Sequence, residues 1–162
     1  MAHADDVNGT GSVTLQVHAT VPVSNSHLAG SGSIANADLR IPSFQPNIKI
    51  DAAQIKFEAD SAGIDNAAFH VGKSNWQGSI KLRNFANPRI AVSLKADRLS
   101  NVEMQSWFAP GNGAGKPIAV TGDIAIGTMQ LNDLSLRDLK SGIVLRDKLL
   151  TLEPLSAAVY GG

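Results

Sequence analysis

Arg89-Ile-Ala-Val-Ser-Leu-Lys-Ala-Asp97 decides the fold. Ile90, Val92, Leu94 and Ala96 alternate with Arg89, Ser93, Lys95 and Asp97. A period of two sends successive side chains to opposite faces, so this stretch reads as a strand with one apolar and one polar face. The same period runs outward in both directions. Val13, Leu15, Val17 and Ala19 alternate with Thr14, Gln16, His18 and Thr20. Ala37, Leu39 and Ile41 follow, then Ile48 and Ile50. Ala53, Ile55, Phe57 and Ala59 resume that run one residue out of phase, which predicts a turn or bulge at Asp51-Ala52. Further runs are Ala67 to Val71, Trp76 to Leu82, Ile118 to Ile126, Leu134-Leu136, Ile143-Leu145, Leu150-Leu152 and Ala157-Val159.

These runs predict about ten to twelve short strands in an antiparallel meander. Turns are expected at Asn8-Gly9, Ser61-Ala-Gly63, Asn87-Pro88 and Arg146-Asp147-Lys148. One short helix is expected at 102–108, and Pro110 to Pro117 reads as a flexible linker between two β-units. A weak repeat of Gly, then Ser or Asp, then Ile or Val recurs at Gly11, Gly32, Gly78 and Gly122.

Composition agrees. The chain has 162 residues, the size of one domain, with no cysteine and fourteen basic against fourteen acidic side chains. No disulfide or thiolate chemistry is open to it, and no net charge draws it to nucleic acid. Eleven Asp against three Glu (Glu58, Glu103, Glu153) argues for turns and caps over helices. No apolar run approaches the length of a membrane helix. The N-terminus has no signal-peptide pattern, and the chain reads as one segment of a longer β-structure.

Motifs for chemistry are weak. Pro110 stands where a phosphate-binding loop needs its first Gly, and Pro117 follows Lys116 where Ser or Thr belongs. His3, His18, His27 and His70 lack metal-ligand spacing, so no metal and no cofactor is expected. Asp60 to Asp65 reads as an Asp-capped turn, not a calcium loop. Trp76 and Trp107 read as packing residues. No nucleophile elbow or carboxylate pair stands out, so no catalytic residue is assigned. With almost no helix to cover it, the apolar face must close as a sandwich or barrel, or curl into a groove around an apolar ligand. The expected fold is therefore all-β, a meander curled into an open groove or sandwich-like sheet.

Leu149-Leu-Thr-Leu-Glu-Pro-Leu-Ser-Ala-Ala-Val-Tyr-Gly-Gly162, with the preceding Leu134 to Arg146, resembles the late β-region of the AsmA family. Ser74-Asn-Trp-Gln-Gly-Ser-Ile-Lys-Leu-Arg-Asn-Phe85 and Leu94-Lys-Ala-Asp-Arg-Leu99 follow the same order of strands and turns. The resemblance covers most of residues 9–162. It implies a periplasmic β-sheet in a parent protein anchored to the inner membrane, with a role in outer-membrane biogenesis and phospholipid movement. The implied partners are phospholipid or another apolar ligand, adjoining β-strands of the parent, and the inner membrane through an anchor this sequence lacks. The groove would be lined by Leu15, Val17, Ile55, Phe57, Ile80, Leu82, Val92, Leu94, Ile124, Ile126, Leu150 and Leu152. The alternative is a structural or protein-interaction β-sandwich with a closed core and no lipid.

Overall fold

A computed structural model describes residues 8–19, 28–41, 44–107, 119–146 and 149–160. Among these residues nine strands form one open sheet in chain order. They are β1 (Asn8–Ala19), β2 (Leu28–Ile41), β3 (Phe44–Glu58), β4 (Ser61–Val71), β5 (Ser74–Arg83), β6 (Arg89–Ser100), β7 (Ala119–Leu131), β8 (Leu134–Arg146) and β9 (Leu149–Tyr160). One helix, α1 (Asn101–Trp107), follows β6. The architecture is all-β as the alternation requires. It is a single layer, not two sheets face to face.

The strands are fewer and longer than the runs suggested, at 10 to 15 residues. The reason is local. A strand that gains one extra residue slips its phase without ending. Asn36 (φ 51°), Asn66 (φ 50°) and Asp138 (φ 53°) take left-handed conformations inside β2, β4 and β8. Asn and Asp are the non-glycine residues that tolerate this region best. Each sits where the ladder register breaks: opposite Gly11, between Ile64 and Ala67, and between Arg137 and Lys140. Inward residues then fall three apart instead of two: Ile34 and Ala37, Ile64 and Ala67, Leu136 and Leu139. Around Asp51-Ala52 the register also shifts, so that position is a bulge within β3 and not a turn.

Two expected turns are corrected in the same way. Asn8-Gly9 lies inside β1, where it pairs with Arg40 and Leu39. Ser61 to Gly63 opens β4, and the turn is one step earlier at Ala59-Asp60. There Asp60 holds the next loop, its carboxylate accepting the Phe85 N–H at 3.0 Å and its carbonyl accepting the Asn84 N–H at 2.9 Å. The loop at Asn87-Pro88 stands as expected. Asp147, Lys148 and the linker at 110–117 lie outside the described residues.

Seven of the eight strand pairings are antiparallel; β6 and β7 run parallel. A parallel pair needs a crossover that carries the chain back to its starting end. Here the crossover includes α1, so the meander is broken once, at the helix. Ser100 caps that helix by accepting the Glu103 N–H at 3.1 Å. Glu103, three residues on, matches the capping-box pattern but points elsewhere. Its carboxylate accepts the Lys73 N–H at 2.7 Å and the hydroxyl of fully buried Ser74 at 3.2 Å. The helix is thereby tied to the β4–β5 turn. It also touches β3, three strands away from β6, so the sheet curls beneath it.

The buried apolar side chains form two clusters. One holds Ala37, Ile50, Ala53 and Ala67. The other holds Val71, Trp76, Ala96, Leu99, Ile126 and Leu139, with Met104 of α1 packed on it. All but Val71 and Trp76 flank a three-residue phase step. Bulges raise local twist and bend a strand. The core forms where the sheet bends, because bending brings side chains of one face together.

Candidate apolar binding face

Residues paired across a sheet share a face. The register therefore places the expected lining residues without ambiguity. One row crosses all nine strands: Leu15, Gly32, Ile55, Ile64, Ile80, Val92, Gly122, Ile143 and Leu152. A second row joins Val17, Gly30, Phe57, Ala62, Leu82, Ile90, Val120, Leu145 and Leu150. Leu94 pairs with Ile124, and Ile126 with Ala96, further along the same strands. The side chain of Leu150 lies outside the described residues. All twelve expected positions thus fall on one face.

Their environments differ. Ile126 is buried in the cluster beneath α1, so it belongs to the closed core. Leu94 and Ile124 are half-buried and pack against that cluster. Ile55, Phe57, Ile80, Leu82 and Val92 are half-buried along the middle of the sheet. Leu15, Val17 and Leu152 are 53%, 54% and 45% exposed on the two edge strands. Leu155 and Val159 of β9 are exposed as well.

Sequence reasoning missed Ile64, Ile90, Val120, Ile143 and Leu145 as members of the rows, although Ile90 and Val120 were visible in the alternation. Ile143 and Leu145 were visible in the alternation. Ile64 was hidden because it follows the Asp60 turn, where the residues read as loop. Gly122 was visible only as part of the Gly-Ser/Asp repeat. Its role is steric: a β-carbon there would lie 1.8 Å from the Val92 carbonyl oxygen, and one at Gly78 2.0 Å from that of Ser93. The backbone at both sites has φ near +155°, which side chains rarely adopt.

Trp76 stacks on Phe69 at 6.2 Å between ring centres and lies in the core, as packing predicts. The side chain of Trp107 lies outside the described residues. So do His3 and His27, while His18 is exposed.

The opposite face is polar. There His70 bridges strands, with Nε2 2.8 Å from Asp51 and Nδ1 2.6 Å from the Asn75 side-chain oxygen. Asn75 donates its side-chain amide to Asp97 at 2.6 Å and its backbone N–H at 2.9 Å. The Arg98 N–H donates to the same carboxylate at 2.7 Å. Burial pushes the Asp97 carboxyl up, but these donors and the Arg98 charge outweigh it and hold it below the ordinary Asp range.

Among the described residues no three His, Asp or Glu side chains gather as a metal site. No described helix is long and apolar enough to cross a membrane. Comparison with family models, with curated proteins and with solved structures finds no match.

Proposed function

We propose that this chain is a non-catalytic β-groove module that holds or conducts phospholipid acyl chains during envelope biogenesis. One observation carries the reading. Two rows, apolar except where Gly30, Gly32 and Gly122 carry no side chain, cross a single-layer sheet, and among the described residues only α1 lies over that face, at one end. Such a face holds an acyl chain by area, at about 0.8 kcal/mol for each methylene removed from water. It offers little to distinguish headgroups, which suits a conduit. The face runs to both edge strands, so adjoining strands of a parent protein would extend it. The periplasmic setting and the inner-membrane anchor of the parent rest on the sequence resemblance to the AsmA family. A closed sandwich, the competing reading, needs a second sheet facing the first, and the described strands form one.

Native mass spectrometry of gently purified protein tests this. Phospholipid should accompany the chain. Leu15→Asp with Leu152→Asp should strip that lipid while leaving the melting temperature within a few degrees, because both sites are exposed. Protein that emerges lipid-free from a lipid-rich host, and that takes up no fluorescent phospholipid from vesicles, would sink the proposal.

A further inference from the structure

A second recess lies away from the apolar rows. It is an open cleft of about 910 Å³ on the polar side, over β4 to β9. Two outward rows of polar and small residues line it, and Leu94 and Ile124 of the row between them border it as well. Lys95 pairs with Ala125, which pairs with Lys140. Ser79 pairs with Ser93, which pairs with Asp123. The apolar neighbours Ile80, Val92 and Ile126 point the other way.

Lys95 and Lys140 stand two strand spacings apart, about 10 Å, on either side of the small Ala125. Among the described residues neither is paired with a carboxylate. An anionic group over Ala125 would meet both ammonium groups. Two residues back along β7, Asp123 is exposed beside the Ser93 and Ser79 hydroxyls. That row offers acceptors and donors suited to ligand hydroxyls, not to a second anion. No aromatic ring lines the cleft, so nothing stacks a base. The net charge of zero draws no polyanion.

We infer that this cleft binds a phosphate monoester of a small polyol, with Lys95 and Lys140 on the phosphate and Asp123, Ser93 and Ser79 on the hydroxyls. The site lies on the face opposite the acyl-chain rows and is independent of them. The phosphate ester has two sources, a soluble polyol phosphate or the headgroup of a phosphatidate.

The test titrates the full chain with glycerol 3-phosphate, inorganic phosphate and glycerol, followed by backbone amide shifts, and separately with phosphatidic acid vesicles. Glycerol 3-phosphate should move the amides of Lys95, Ala125, Asp123 and Lys140 saturably, and bind more tightly than inorganic phosphate. The double variant Lys95→Gln, Lys140→Gln should keep its fold, since both residues are exposed. It should bind at least about tenfold more weakly, since both charge-assisted contacts are lost. Vesicle binding that disappears in the double variant would assign the headgroup source; binding of the free ester without vesicle binding would assign the soluble one. Three results each overturn the inference: no saturable shift, shifts unchanged in the double variant, or equal affinity for inorganic phosphate and glycerol 3-phosphate.

Discussion

One apolar face has two fates. Beneath α1, Ala96 is 0% and Ile126 4% exposed. On the edge strands, Leu15 and Val17 of the same face are more than half exposed. The residue types are alike, and so is the alternation that produces them. What differs is the backbone between them. At the closed end β6 and β7 each take a three-residue phase step, at Ala96–Leu99 and Ile126–Met129, and a helix is tied across the end. At the edges, among the described residues, there is neither a covering helix nor a neighbouring strand on the outer side. Hydrophobic pattern chooses the face of a strand. Bulges and the crossover choose which part of that face becomes core.

The sharpest way to break this comparison is to place one charge at each end. Ile126→Asp buries a carboxylate among Trp76, Leu99 and Leu139, none of which carries a compensating charge. The expected cost is about 4 kcal/mol or more, enough to unfold the domain or leave it molten. Leu15→Asp puts the same group in water, and its expected cost is within about 0.5 kcal/mol. Urea unfolding of both variants decides the matter. Equal costs would mean that the edge is covered in solution and that the face is not open.

The sequence made most of this face legible and little of its shape. Alternation at Arg89 to Asp97 and its echoes puts the twelve expected residues on one face, as the register does, because side-chain direction is set by the strand period alone. It could not give strand count, since a left-handed Asn36 or Asp138 inside a strand looks like the turn residue it more often is. The surplus of Asp and Asn pointed away from helix, which is correct. It did not reveal that three of them bend the sheet from within. The parallel β6–β7 pair was also hidden, because a period of two is the same in either direction of pairing. Only the short helix and the Gly-rich stretch after it hinted at a crossover. The polar cleft was invisible for a different reason. Lys95, Asp123 and Lys140 are each unremarkable on a solvated face, and only the register brings them together.

A second, smaller effect probes what keeps the closed end closed. Glu103 is the tie between α1 and the β4–β5 turn. Glu103→Ala leaves the Lys73 N–H and the buried Ser74 hydroxyl without that acceptor. The expected loss is about 1–3 kcal/mol, the usual cost of stranding such donors. Glu103→Gln keeps one acceptor oxygen and should recover part of it. Amide exchange should quicken at Val71, Leu99 and Met104 and stay unchanged in β1 and β9. Exchange that rises at both ends equally would show that the helix stabilises the whole sheet and does not close one end of it.

The smallest effect lies on the outer surface of that same end. Asp97 collects the Asn75 and Arg98 donors and joins β5 to β6 from the polar side. Its carboxyl is held below the ordinary Asp range, so the folded state favours the ionised form. A group depressed on folding stabilises the protein above its unfolded value, about 4. That contribution falls away as pH drops through the folded value. Because the carboxylate is exposed, solvent screens it, and the whole contribution is expected to be about 1 kcal/mol or less. Asp97→Asn should therefore be less stable than the parent at pH 7. The gap should narrow steadily below about pH 4 as the parent's own carboxylate is protonated. A gap that stays constant with pH would assign the effect to lost hydrogen-bond geometry instead of charge. The tie across β5 and β6 would then owe nothing to ionisation, and the closed end would rest on α1 and the phase steps alone.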